Sequence, residues 1–290
     1  VLKYTPRFLS GAQLCIEAAL QAGCRYFYAT PSPSQAGLLN EGAWRMREAH
    51  GTFIQAESPA AALAMAMGSA AAGAYPLVSA SSHDYLAMME ALSYAQHQAL
   101  PLLILLVLDA PWGNQSASER LVTLPLQAFP CWVPDSLVTL PSLLRRAFGH
   151  MRQQPGPAIL ALDPWVLQAQ STLLPEVLDG EEQPPLRIHL PEQPLRRWLA
   201  VGAPAGWLLE RAPADWAIAS LQQLSPLPVA SLSQFAADGS VSVFEYGTPA
   251  LSTYLQPYCP FPLVPVVVPQ PEGWIDNIEQ VLRGLNEVVL

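Results

Sequence analysis

A single carboxylate, Glu57, stands where the apolar run "FIQA" meets "SPAAALAMAMG", a helix of alanine and methionine. An acid there has two possible uses. It can flank a helix N-terminus, where the dipole favours negative charge and Pro59 suits the first turn. It can also serve as a positioned acid in a dry pocket. The residues alone leave both uses open. A second group, "SSHD" over Ser81–Asp84, brings a hydroxyl, an imidazole and a carboxylate together. Neighbours at a helix start point in different directions, so these form no catalytic triad. Ser82 is expected as the N-cap, with Asp84 in the first turn. His83 follows a strand end and can reach a cofactor or partner.

Other chemistry is thin. Cys15, Cys24, Cys131 and Cys259 are scattered without a CxxC, which suits buried thiols in a reducing cytoplasm better than an iron–sulfur cluster or zinc. His50, His97, His150 and His189 have no ligand spacing and read as surface or helix-end residues. No phosphate loop is present. "VGAPAGW" departs from GxGxxG and puts Pro204 in the turn. Trp112, Trp132, Trp207 and Trp274 read as core or interface anchors.

The elements that must position these groups alternate. Helix "SGAQLCIEAALQAG", capped near Ser10 and ending at Gly23, precedes strand "RYFYA" and the stiff loop "TPSPS". Helix "QAGLLNEGAWRMREAH", strand "TFIQA" and the alanine helix follow. Then come strand "YPLVSA", helix "SSHDYLAMMEALSYAQH" and strand "LPLLILLVL". Helix "SLLRRAFGHMRQ" and strand "PAILAL" close the first unit. This order predicts an α/β fold with a doubly wound parallel sheet. Residues 168–194, rich in Pro, Glu and Gln, read as a linker between a domain at 1–167 and a smaller α/β domain at 195–290. In the second unit "WLAVG", "VSVFEYG" and "PLVPVVV" read as strands, with helices near Ala205–Arg211 and Ile275–Leu285.

The totals narrow the partners. Of 290 residues about half are apolar and 13% are charged, which predicts a large subunit interface. A net charge of −9 with no basic cluster argues against nucleic acid. No membrane span is expected. The uncharged run at Pro59–Val78 is mostly alanine and glycine, and "LPLLILLVL" is too short.

In order and pattern, "SGAQLCIEAALQAGCRYFYATPSPS", "FIQAESPAAALAMAMGSAAAGA" and "SSHDYLAMMEALSYAQHQALPLLILLV" resemble the α subunit of the 2-oxoacid:ferredoxin oxidoreductases, a group that includes the pyruvate, 2-oxoglutarate and indolepyruvate enzymes. "VFEYGTPAL" and "LSPLP" are similar to that family's transketolase-C-like domain. The resemblance implies a thiamine diphosphate site shared with a β-type subunit, and an assembly with an iron–sulfur or ferredoxin-type subunit that carries the clusters, none being on this chain. It implies a hetero-oligomer that oxidatively decarboxylates a 2-oxoacid, with an α-chain acid on the cofactor's aminopyrimidine ring.

Three positions depart from that pattern. Counting back from Gly68 at the family's spacing, the acid's place falls on Pro59, and Glu57 lies outside the helix. A threonine of the loop is replaced by Pro33, leaving Ser32 and Ser34 as the hydroxyls that can contact cofactor. The arginine that pairs the substrate carboxylate is replaced by Asp109, which repels it, and Arg120 is the nearby cation. The expectation is an α-type subunit whose own catalytic positions are degenerate, with Glu57 as the remaining candidate acid and Ser32, Ser34 and His83 as candidate cofactor contacts. The alternative is a silent structural or regulatory subunit of the same descent.

Overall fold

A computed structural model describes residues 7–108, 129–173, 184–237, 239–246 and 250–268. Asp109, Trp112, Arg120, Trp274 and the helix expected at Ile275–Leu285 lie outside them. The chain opens with β1 (Arg7–Ser10), α1 (Gly11–Gln21), β2 (Tyr26–Ala29), α2 (Ala36–Glu48), β3 (Thr52–Gln55), α3 (Pro59–Ala71), β4 (Leu77–Ser81), α4 (Ser82–His97) and β5 (Leu102–Val107). It continues through β6 (Cys131–Trp132), α5 (Leu140–Gln153), β7 (Pro157–Leu162), α6 (Pro164–Gln168) and β8 (Gln170–Leu173). The described remainder is β9 (Leu186–His189), β10 (Arg196–Ala200), α7 (Ala203–Arg211), β11 (Trp216–Leu221), β12 (Gln223–Ser225), α8 (Val229–Ala236), β13 (Val241–Tyr246), α9 (Ala250–Leu255) and β14 (Leu263–Val268).

Ser10 caps α1 through a full capping box with Gln13, which satisfies two otherwise unpaired backbone donors. At α4 the cap is Ser81, one residue before the expected Ser82, because Asp84 reaches back to the Ser81 amide. Ser82 is thereby the first residue inside the helix.

A seven-stranded sheet runs in the order β12-β6-β7-β5-β4-β2-β3, parallel except at β12. Every residue of β4, β5 and β7 is buried, as strands covered on both faces require. One face carries α1, α2, α5 and α6 over a core that includes Leu14, Ile16, Phe27 and Phe148. The other carries α3 and α4, and its core continues through Leu199, Ala219 and Phe235 into the second half. A five-stranded sheet there has the order β14-β13-β10-β11-β9, with β9 antiparallel. Trp198 and Trp216 stack on it at 5.0 Å. This is an α/β architecture of the expected class. Within the span 168–194, β8 pairs with β1 and β9 completes the second sheet.

The two sheets are tied at Asp135, which is buried. Its carboxylate accepts from Ser136 Oγ and Thr139 Oγ1, both at 3.0 Å, on its own side. From the second half it accepts from Ser220 Oγ at 2.6 Å and Gln222 Nε2 at 3.0 Å. One guanidinium nitrogen of Arg187 lies 2.9 Å from both oxygens. The backbone of α7 packs so closely that a Cβ on Gly206 would come within 2.3 Å of the Asp135 carbonyl oxygen. Removing this acceptor strands buried donors and leaves a half-buried guanidinium without its counter-charge. Asp135→Ala is expected to cost about 3 kcal/mol or more in urea denaturation. A loss below about 1 kcal/mol would show that the junction does not rest on this residue.

Candidate functional site

Strand order reverses between β2 and β4: the chain steps from β2 outward to β3, returns past β2 to β4, and then proceeds to β5. In open parallel sheets the crevice beyond the carboxyl ends of such strands is where ligands bind. The residues that follow β2, β3 and β4 are Thr30–Gln35, Ala56–Ser58 and Ser82–Asp84. These are the loops that carry the candidate site residues.

The switch point is occupied by a polar network. Asp84 Oδ2 accepts from the Ser81 amide at 3.1 Å, Thr30 Oγ1 at 3.3 Å and, at the limit of reach, Gln35 Nε2 at 3.5 Å. Gln35 Oε1 in turn accepts from Ser79 Oγ. Gln35 and Ser79 are fully buried and Thr30 nearly so. The network joins the ends of β2 and β4 and uses the polar capacity of Gln35 internally. Ser82 Oγ, buried beside it, has no hydrogen-bond partner among the described residues, and neither does Tyr85 OH one helical turn on. A buried hydroxyl without a partner marks a place where water or an incoming polar group is favoured.

The expected residues take other positions. Glu57 is exposed and precedes Ser58, which caps α3 by accepting from the Ala61 amide at 3.2 Å. Pro59 begins the helix. Ser32 and Ser34 pair with each other at 3.0 Å on the surface. His83 is exposed at the start of α4. The structure therefore gathers Thr30, Gln35, Ser79 and Asp84 into one cluster, while of the expected residues only Ser32 and Ser34 meet, and they meet each other. Three of the four clustered residues were not singled out from sequence. Their partners are 44 to 54 residues apart, so no local spacing announces them.

The cysteines are all free and buried, and burial pushes the Cys24 thiol up to about 12. Among the described residues no helix is long and apolar enough to cross a membrane.

Residues 17–110, which contain the whole of this switch point, match the family model described as pyruvate flavodoxin/ferredoxin oxidoreductase, thiamine diphosphate-binding. Over this region the chain is similar to the 2-oxoacid:ferredoxin oxidoreductases. It is 24% identical over 143 residues to the 2-oxoglutarate synthase subunit KorA of Methanothermobacter thermautotrophicus, covering 43% of this chain and 38% of that one. To the KorA of Methanothermobacter marburgensis it is 24% identical over 174 residues, covering 51% and 46%. The aligned regions thus span less than half of either curated relative. Among solved structures, the 2-oxoglutarate:ferredoxin oxidoreductase of Magnetococcus marinus, described with 2-oxoglutarate, coenzyme A and succinyl-CoA bound, superposes with a TM-score of 0.78 at 14% identity, over 97% of this chain and 65% of that one. A split-gene transketolase, described as an inactive β4 tetramer, superposes at 0.65 with 15% identity, over 96% and 97%. These superpositions establish the fold.

That second unit has its own acid at a strand end. Glu245, on β13, is buried and accepts from the Leu251 amide at 3.1 Å and the Ser252 amide at 2.8 Å, capping α9. Burial nevertheless holds its pKa above the ordinary carboxylate value, the amides opposing that shift only in part. The folded state therefore binds this proton more tightly than the unfolded state. The linked stabilisation is fully present below the unfolded pKa and is lost as pH rises through the folded one. Glu245→Gln is expected to flatten the fall in urea midpoint above about pH 4, relative to the parent chain. An unchanged slope would place the dependence on another group.

Proposed function

We propose that this chain is an α-type subunit of a 2-oxoacid:ferredoxin oxidoreductase-like complex that contributes scaffold and interface but does not itself activate thiamine diphosphate. The observation that carries this reading is the placement of Glu57. An aminopyrimidine ring needs one carboxyl group held in a dry pocket against it. Glu57 stands exposed outside α3, and the first helical position is Pro59, which has neither a carboxyl group nor an amide hydrogen. The carboxylate at the switch point, Asp84, is tied to Ser81, Thr30 and Gln35 through one oxygen and completes the capping box of α4. Ser82 Oγ leaves room for a polar visitor, but the described residues do not supply the acid, so no catalytic step is assigned to them.

The complex itself is expected to be hetero-oligomeric, with a β-type thiamine diphosphate subunit and an iron–sulfur or ferredoxin-type subunit. The relatives' description as synthase subunits supports this reading. So does the outer face of α3, where Ala60, Ala64, Gly68 and Ala72 are all exposed at one helical repeat. Small side chains there allow close backbone approach by a partner. Ala64→Arg leaves the buried face of α3 intact and is expected to abolish assembly with the partner subunits in light scattering, with the thermal midpoint of the isolated chain unchanged. Full assembly of this variant would move the interface elsewhere.

Turnover tests the catalytic half. The purified complex is expected to show little 2-oxoacid-dependent reduction of viologen dye at the site this chain lines, against a loss of ~10²–10⁴ in rate for a missing acid–base contact. Robust turnover abolished by Glu57→Gln would identify Glu57 as the working acid once the partner covers it. Robust turnover indifferent to that substitution would place catalysis on groups other than Glu57.

A further inference from the structure

An edge strand presents unpaired backbone donors and acceptors, and proteins guard such edges with charge, proline or brevity. The two large sheets end in β12, β3, β14 and β9. β14 carries Pro265. β9 carries Arg187 and His189 and lies between Pro185 and Pro191. β12 is three residues long and is followed by Pro226. β3, Thr52–Gln55, contains neither a charge nor a proline, and Thr52, Ile54 and Gln55 are exposed. Of these edges β3 alone has no guard.

The geometry of that edge is readable. The Thr52 and Ala56 amides donate to the Arg25 and Ala29 carbonyls along β2, at 2.7 and 2.8 Å. By the alternation of a strand, Phe53 and Gln55 turn their amides and carbonyls the other way, outward. Ile54 sits between them, opposite Tyr28 in the ladder. With Tyr26, Tyr28 and Met65 it lines a largely apolar hollow of about 410 Å³ beside the edge. The two ends of the strand differ in charge. Arg47 and His50 precede it and Glu57 follows it, all exposed. None of the three makes a side-chain hydrogen bond or ion pair among the described residues, whereas Arg45 is held by Glu17 and Glu48.

We propose that β3 is a self-association edge, through which two copies of this chain pair antiparallel about a two-fold axis at Ile54. In that register Phe53 of each copy faces Gln55 of the other, and the outward backbone groups exchange about four hydrogen bonds. The two Ile54 side chains meet on the axis and cover the apolar hollow of each copy. The antiparallel sense also follows from charge: it brings the Glu57 end of one strand to the Arg47–His50 end of the other. A parallel arrangement would set like against like. Such a contact is isologous and closed, so it stops at two copies.

The test is the oligomeric state of the full chain, with Ile54→Cys as reporter. The native cysteines are all buried, so a new exposed thiol reports alone. Facing positions on a two-fold axis lie within reach of a disulfide. Mild oxidation of Ile54→Cys is expected to give a covalent dimer, and Trp44→Cys, exposed on α2, is not. In sedimentation velocity the parent chain is expected to dimerise at micromolar concentration. Ile54→Lys sets two ammonium groups face to face and should weaken the dimer about tenfold. Glu57→Arg should also weaken it, and adding Arg47→Glu should restore it, a rescue that damage to the fold would not produce. Should Ile54→Lys fail to fold, the cross-linking pair decides. A parent chain that stays monomeric up to millimolar concentration would overturn the proposal. So would a dimer indifferent to Ile54→Lys, or cross-linking as efficient through Trp44→Cys as through Ile54→Cys. Cross-linking of Ile54→Cys only to another subunit of the complex would assign the edge to that partner and overturn self-association.

Discussion

A carboxylate cut off from water is costly to fold around unless donors replace the water completely. Asp135 meets that condition with five side chains, Ser136, Thr139, Arg187, Ser220 and Gln222, drawn from both halves of the chain. The local pair, Ser136 and Thr139, sets the turn into α5. The distant three fix where β9 and β11 lie against it. Around this point the backbone joins in: the Val133 amide donates to the Gln222 carbonyl at 2.8 Å, and Gln222 donates to Pro185 at 3.0 Å. An apolar contact could hold the two sheets together in several orientations. A carboxylate with directional donors on both sides selects one, and the shared core of α3, α4 and the second sheet packs in that orientation.

Much of this architecture was legible because parallel strands buried on both faces leave an unmistakable apolar run. "PLLILLV" and "PAILAL" became β5 and β7, and Ser10 marked the start of α1, where the structure adds Gln13 to the cap. The elements that were not read are of another kind. β6, β9 and β12 are two to four residues long, and their pairing is decided by partners far along the chain. "RIH" and "QLS" carry no alternation strong enough to declare a strand. β11, "WAIASL", follows a proline-broken segment and is too short for periodicity to separate strand from helix. At α4 the expected cap was displaced by one residue, since two adjacent serines offer equal chemistry and only the reach of Asp84 chooses between them.

The candidate site shows the same division. That Glu57 would lie outside α3 followed from Pro59 alone, and the structure adds Ser58 as the cap. The network of Thr30, Gln35, Ser79 and Asp84 was not accessible to sequence reading. It joins loops that converge only once β2 and β4 are neighbours. The switch point is thus braced by its own side chains. Side chains that satisfy each other make a crevice rigid, but they leave fewer groups to aim at a guest.

The exchange of strands across the middle of the chain has a consequence for biosynthesis. β12 closes the edge of the first sheet beside β6, although it is encoded after β9, β10 and β11 of the second. During translation, which proceeds from the N-terminus, the edge at β6 stays unpaired until residue 225 has left the ribosome. Asp135 likewise waits for Arg187, Ser220 and Gln222 to emerge. The nascent first unit therefore holds an open strand edge and a carboxylate answered only by Ser136 and Thr139 for the whole interval. This is the kind of exposed edge that chaperones cover and that pairs wrongly with neighbouring chains when they do not.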